Sequence, residues 1–376
     1  MSCLHLFNPE NDIALAFGMA QYTAPPNAMR LHDAGALLPL WFCNEGDQII
    51  SHPKHEKWVN DIKSQFNIFG NIANPSSLNS ISKCAPWGWS LNAKKQFLDF
   101  GIEDSILPHN DNINSIRELS HRRLTVKITQ LLKEANINNP TLPLEAKNAT
   151  EVLKYVHTHQ SIFLKSPWSS SGRGVINASS LSEHDLIRRA EGIIRNQGSI
   201  MCEKALTKVK DFAMLFYSDG KTVKFVGLSS FLNSDKGAYI GNIIDSQHNI
   251  LQSITQYISE SEINHISNTL SEILSTIIVP YYNGYFGVDM MIVRSNNHFE
   301  IAPCVEVNLR MTMGVIAFLW SERHLAQGSH GVMKVEYSPN QERSSTQSTI
   351  VDHKLKSGTI SLIPPDDYFN IYISVD

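Results

Sequence analysis

Several protein classes are excluded by what this chain lacks. Its cysteines, Cys3, Cys43, Cys84, Cys202 and Cys304, form no CxxC pair, so structural zinc is not signalled. Cys202 and Cys304 lie in or beside apolar runs and read as buried thiols rather than nucleophiles. No basic block interrupts a near balance of 32 basic and 36 acidic residues, so the electrostatic footprint of a nucleic-acid binder is missing. The longest apolar runs, such as Ala36–Phe42 around Pro39, are far too short to span a bilayer. The N-terminus, Met-Ser-Cys-Leu-His-Leu-Phe, has neither a basic n-region nor an apolar h-region, and the expected location is cytoplasmic. There is no GxxxxGK[ST] loop, no recognisable Ser/His/Asp triad and no internal repeat.

What is present is 376 residues, 42% of them hydrophobic, enough for substantial cores in two to three domains. Leu4–Phe7 reads as a buried strand that stops at the turn-rich string Asn8-Pro9-Glu10-Asn11-Asp12. Ile13–Met19 follows as a helix capped by Asn11 or Asp12. Asn74–Ser90, with Pro75, Pro86 and Trp87-Gly88-Trp89, reads as a loop. Ser120 is the expected N-cap of a helix to about Asn136, on which Leu124, Ile128, Leu131, Leu132 and Ala135 fall at helical spacing. β and α segments then alternate: strands at Ser161–Lys165, Val175–Asn177 and Ser199–Ala205, and a helix at Ser182–Arg195. Asp211–Tyr217 and Thr222–Phe231 flank a hairpin turn. Ser259–Ile278 is a long amphipathic helix, and Tyr285–Val293 and Phe299–Val307 form a second hairpin around Asn296-Asn297. Gln341–Thr349 is polar and Ser-rich, the composition of a mobile loop.

Three segments carry chemistry. In Val305-Glu306-Val307-Asn308-Leu309-Arg310, strand alternation turns Glu306, Asn308 and Arg310 to one face and the apolar residues to the other. A carboxylate and an amide oxygen form a hard-oxygen pair suited to Mg²⁺, and an arginine beside them suits a phosphate or carboxylate. An ordinary half-exposed edge strand would look the same. Upstream, Asp289 is the one charge in the apolar run Tyr285–Val293, a costly position unless it is paired or metal-bound. A hairpin turning between Asn297 and His298 sets Asp289 opposite Glu306, whereas a bulge or another turn would shift that register.

The second segment is Lys165-Ser166-Pro167-Trp168-Ser169-Ser170-Ser171-Gly172-Arg173-Gly174. Here a strand ends in lysine and runs into small residues whose N–H and hydroxyl groups can face phosphate oxygens. A plain hairpin turn is the alternative. In the third, Glu203-Lys204-Ala205-Leu206, a strand end offers backbone donors and acceptors to an adenine edge, and Asp211 follows within reach of ribose hydroxyls. An exposed strand end is the alternative there.

Taken in order, Lys127, Lys165 with its Ser/Gly loop, Glu203-Lys204-Ala205-Leu206, Asp211-Phe212, Gly287-Val288-Asp289 and Glu306-Val307-Asn308-Leu309-Arg310 resemble the ATP-grasp superfamily. The likeness runs over about residues 119–315 and is greatest for its carboxylate–amine ligase branch. The chain departs from the family in a loop that is Ser-rich with Arg173, where more Gly and a Lys are common, and in Leu309, where Pro is common.

The resemblance implies an α/β and α+β chain: an N-terminal pre-ATP-grasp-like α/β domain over 1–118, an ATP-grasp N-lobe over 119–205, and a C-lobe with a β extension over 206–376. It implies ATP as nucleotide with Mg²⁺, or Mn²⁺ in its place. Lys127 and Lys165 would contact the phosphates under a closing Ser169–Gly174 loop. Glu203 through Leu206 would hold adenine and Asp211 the ribose. Asp289, Glu306 and Asn308 would ligate one or two metal ions, with Arg310 on the transferred phosphoryl group. The chemistry implied is phosphoryl transfer to a small-molecule carboxylate and capture of the acyl phosphate by an amine, with amino acids among the candidate substrates. A phosphotransferase that stops at the first step, and a non-catalytic ATP-binding protein, are the rival readings. Asn8, Glu10 and Asn11, just past a strand's C-terminal end, are expected to face the active site, with Glu10 or Asp12 available to an amine or a second cation; simple turn and cap residues are the alternative.

Overall fold

The computed structural model describes residues 2–159, 161–169, 174–234, 239–339 and 347–376. The chain divides into two units, one made of residues 1–115, 227–251 and 310–376, the other of 116–226 and 252–309.

In the first unit a parallel four-stranded sheet runs in the order Asn71–Ile72, Gln48–Ile49, Ser2–Leu6, Ile81–Pro86. The strand Ile81–Pro86 corrects the loop expected over Asn74–Ser90. Its two prolines mark the ends: Pro75 opens a 3₁₀ turn before it, and Pro86 closes its pairing with Leu6. Ser90 then caps the helix Leu91–Asp99 by accepting the Ala93 N–H at 3.1 Å. That helix buries Ala93 and Phe97 against Leu4, Leu6, Ile81 and Cys84 of the sheet. The helix after the first strand is Asn11–Phe17, two residues earlier than expected, and neither Asn11 nor Asp12 caps it. The same unit holds an antiparallel run of strands, Tyr239–Ile244, Gly331–Tyr337, Phe369–Val375, Lys354–Ser361 and Thr349–Val351. Most of the loop expected over Gln341–Thr349 lies outside the described residues.

In the second unit, one antiparallel sheet has the order Leu144–Ala146, Ile200–Lys204, Ile162–Lys165, Val175–Asn177. The helices Ala149–Thr158 and Glu183–Gln197 cover it over a core of Val152, Ile162, Leu164, Leu186, Ala190 and Ile200. The other layer aligns His298–Asn308, Gly284–Ser295 and Lys208–Ser218 in antiparallel order, with the helix Glu260–Ile278 capped by Ser259. The helix that precedes both layers is Arg123–Glu134, two residues later than a Ser120 cap would place it. The Ser120 hydroxyl instead donates back to the Ile116 carbonyl, closing the previous helix. Among the described residues no helix is long and apolar enough to cross a membrane. A parallel α/β sheet in one unit and antiparallel α+β layers in the other agree with the expected fold class.

Candidate functional site

The hairpin Gly284–Ser295/His298–Asn308 sets the centre of the site. Its turn lies at Asn296-Asn297, with Asn296 in the left-handed region at φ 52, and Ser295 pairs with His298. This turn is one residue earlier than expected, and carried along the strands its register would set Asp289 opposite Cys304. A bulge between Asp289 and Met291 moves the pairing on, and Asp289 faces Glu306 directly. The juxtaposition expected from the sequence is therefore present, produced by a different turn and a bulge acting together.

Two carboxylates brought face to face repel unless positive charge or donors stand between them. In this structure Asn308 Nδ2 donates to Asp289 Oδ2 at 3.0 Å, and Arg122 Nη2 pairs with Glu306 Oε1 at 2.9 Å. With the amide nitrogen turned to Asp289, the Asn308 oxygen is the group's hard donor. Two carboxylate groups and an amide oxygen on adjacent strands fit Mg²⁺, which takes oxygen ligands and keeps water in its other positions.

Arg122 was not among the residues singled out in the sequence. Its side chain is 7% exposed, and its Nε is a buried donor with no hydrogen-bond partner among the described residues. Its backbone N–H donates to Pro167 O at 3.2 Å, and Nη2 also reaches Ser169 Oγ at 3.3 Å. It thus stands between the carboxylates and the start of the small-residue loop. Lys127, the lysine expected here, is exposed on the helix face away from Leu124, Ile128 and Leu132. Five residues along a helix turn a side chain by about 140°, so Arg122 and Lys127 cannot share a direction.

The loop is anchored at both ends. Before it, Trp168 is buried, donates its backbone N–H to Gln197 Oε1 and its indole N–H to Arg117 O, and lies under the Arg117 guanidinium at 4.1 Å. His121 packs edge-on against the same ring at 4.6 Å. Burial, then the charges of Arg123, Arg117 and Arg122, push this imidazole down to about 3, so it stays neutral at ordinary pH. Its Nδ1 accepts the Arg123 N–H, which leaves the ring proton on Nε2 facing Ser199 Oγ. After the loop, Ser166 N–H donates to Gly174 O, and Gly174 has φ 77 with the Ser166 hydroxyl 2.7 Å from where a Cβ would sit, a place for glycine alone. Of the loop residues expected to face phosphate, Ser170, Ser171, Gly172 and Arg173 lie outside the described residues.

Lys165 ends its strand buried and hydrogen-bonded through Nζ to Glu203 Oε2 on the neighbouring strand, both side chains 11% exposed. Lys204 is exposed, and Ala205 and Leu206 are half-buried, with the Ala205 N–H donating to Ser161 O. Asp211 is paired with Lys208 at 2.6 Å. Cys304 is fully enclosed. Its thiol is raised by burial first and then by the charges of Asp289, Glu203 and Glu306. Cys202, pushed up to about 12 chiefly by burial, is likewise a protonated thiol.

In the first unit, Arg310 is gripped by Asp12, with Nε at 3.0 and 2.9 Å from the two oxygens and Nη2 at 2.7 Å. Asn8, Glu10 and Asn11 are each 1–2% exposed. The Asn8 amide donates to Gly88 O at 2.9 Å, and both Glu10 oxygens lie 3.2 Å from His32 Nδ1. Gly88 has no room for a side chain: a Cβ would lie 2.3 Å from Asn11 Nδ2 and 3.1 Å from the Arg310 Cβ.

No family model matches the sequence, and no curated protein does. Solved structures do. The chain is similar to the biotin carboxylase–β,γ-ATP complex from Campylobacter jejuni, at 12% identity and a TM-score of 0.50 over 100% of this chain and 87% of that one. It is similar to the biotin carboxylase domain of Hydrogenobacter thermophilus 2-oxoglutarate carboxylase, solved with MgADP, ADP and bicarbonate, at 11% identity and 0.52 over 100% and 86%. It also matches Rhizobium etli pyruvate carboxylase at 12% and 0.54, over 100% of this chain but 35% of that much longer one. At such identities the likeness is one of fold.

Proposed function

The chain has an ATP-grasp fold, and from that premise we propose that it is an ATP- and Mg²⁺-dependent ligase, one that activates a small-molecule carboxylate as an acyl phosphate for attack by an amine. The observation that carries this is the Asp289–Glu306 pair, set face to face by a bulge, with the Asn308 amide beside it and the Arg122 guanidinium on it. Two carboxylates forced together by the backbone are expensive to keep unless the site exists to take a cation.

Asp289, Glu306 and the Asn308 oxygen would hold Mg²⁺, which when bound neutralises charge on the phosphates. Lys165 and Arg122 orient the phosphate chain from the same unit. Glu203 keeps the Lys165 ammonium in place, and its strand end through Lys204, Ala205 and Leu206 lies along the adenine. With the Ala205 N–H engaged by Ser161, the Ala205 carbonyl and the Leu206 peptide are the groups left to read the base. Asp211 would hold the ribose, and Ser169 and Gly174 flank the segment assigned to the phosphates. Arg310 stabilises charge on the transferred phosphoryl group and on the tetrahedral intermediate that follows. No side-chain nucleophile is needed, in keeping with thiols at Cys202 and Cys304 held protonated by burial.

The test is ADP release from Mg-ATP over pooled small carboxylates and amines, amino acids included, followed by product mass. An amide formed with one ADP per bond is the expected result. A stable phosphorylated product would instead make the protein a phosphotransferase. ATP binding without ADP release in every pool would make it a non-catalytic binder.

A further inference from the structure

Glu306 has two claimants. As a metal ligand it should face a cation, yet in this structure its carboxylate is held by Arg122 at 2.9 Å. We propose that Arg122 and the divalent cation compete for Glu306, and that nucleotide phosphate, by drawing the guanidinium away, opens the carboxylate to the metal. This rests on the metal assignment made above and adds an order to it: the free protein resists the metal and the nucleotide-loaded protein admits it.

Three features of the second unit support the exchange. The first is incomplete satisfaction of the guanidinium. Arg122 is 7% exposed, yet its Nε has no hydrogen-bond partner among the described residues, and a buried unpaired donor on a cation is costly. A phosphate, with several acceptor oxygens and more charge than one carboxylate, is a better partner for the planar fork. The second is direction. The same Nη2 that pairs with Glu306 also reaches Ser169 Oγ at 3.3 Å, at the start of the small-residue loop, so the side chain already points between the carboxylates and the phosphate-facing segment. The third is a fixed base under a long side chain. The Arg122 backbone is tied to Pro167 O at the start of its helix, so the guanidinium can change partner by side-chain rotation while the backbone stays in place.

Electrostatics sets the sign. Asp289 and Glu306 contribute two negative charges and Arg122 cancels one, which leaves a weak site for a hard dication that needs carboxylates and sheds water reluctantly. Moving Arg122 onto phosphate restores both carboxylates and brings further negative charge. The Asn308 amide N–H acts in the same sense on Asp289. By linkage, a nucleotide that raises metal affinity is itself bound more tightly when the metal is present.

The experiment is a titration of the nucleotide-free full chain with Mn²⁺ alone, read by electron paramagnetic resonance, for wild type, Arg122→Lys, Arg122→Met, Glu306→Gln and Arg122→Met/Glu306→Gln. The wild type and Arg122→Lys bind weakly. Arg122→Met, which keeps bulk and removes charge, binds about tenfold more tightly, within the usual range of coupling between sites. The gain disappears in the double variant. Arg122→Met also gains more thermal stability from added Mn²⁺ than the wild type does, which registers the exchange independently of any turnover. Arg122→Met binding no more tightly than the wild type would overturn the proposal, as would a gain that survives Glu306→Gln. Mn²⁺ binding in the presence of ADP that is indifferent to Glu306→Gln would instead point to a failure of the metal assignment itself.

Discussion

Lys165→Met unfolds at markedly lower urea than the wild type, and Lys165→Met/Glu203→Gln recovers much of the loss. The reason is the environment of the pair. Lys165 and Glu203 lie on adjacent strands, hydrogen-bonded, with side chains 11% exposed. Removing the ammonium strands a buried carboxylate, at a cost of about 3–5 kcal/mol, whereas replacing both charges removes most of that penalty. Both variants lose nucleotide affinity by at least about tenfold, because the charge assigned to the phosphates is absent in each. A urea series on the four members of the cycle, with nucleotide binding measured beside it, separates the two effects. A single variant no less stable than the double would show that the pair does not stabilise the strands.

The second large effect is expected at Arg310. Arg310→Ala lowers kcat by about a hundredfold to a thousandfold while ATP affinity changes little, since the interaction is made with charge that develops during transfer. Asp12→Asn keeps the shape of its partner and removes the charge that holds the guanidinium at 2.7–3.0 Å, and it lowers kcat by about tenfold to a hundredfold in the same pattern. Asp12→Glu recovers part of the loss. A fall in ATP affinity equal to the fall in kcat, in either variant, would assign Arg310 to nucleotide binding instead of transfer.

The order of elements, and the pattern that marks the polar residues of the candidate site, are legible in the sequence because alternation and capping are local. Ser90, Ser182, Ser259 and Thr312 each accept an N–H at the head of a helix, and the apolar runs on either side of Asp289 and Glu306 pair as their patterns demand. What escaped was set by longer-range packing. The face-to-face carboxylates depend on a bulge at Asp289–Met291, and no residue there advertises one. Arg122 is hidden in the sequence because Ser120 reads as a cap. The hydroxyl closes the preceding helix instead, and the next helix begins with the arginine already aimed inward. Two adjacent arginines at a helix start, in a chain without a basic block, were the available signal. Ile81–Pro86 was hidden by its flanking prolines and the Trp-Gly-Trp cluster. Asp12 and Arg310 are 298 positions apart, a distance at which local pattern says nothing.

The roles expected of Asn8, Glu10 and Asn11 illustrate the same limit. A turn-rich string past a strand end reads equally as a ligand loop or as a scaffold. The structure places all three side chains in enclosed positions and spends Glu10 on His32 and Asn8 on Gly88, so the exposed work of that loop falls to Asp12 and its arginine.

Everything proposed for the chemistry depends on Asp289, Glu306 and Asn308 holding the metal with the nucleotide. The direct measurement is Mn²⁺ binding in the presence of ATP, by electron paramagnetic resonance, comparing the wild type with Asp289→Asn/Glu306→Gln, both confirmed folded by thermal unfolding. The account predicts protein-bound Mn²⁺ in the wild-type ternary complex and at least a hundredfold weaker binding in the double variant, about the loss expected when both charged ligands go. Equal Mn²⁺ binding by the two proteins would contradict it.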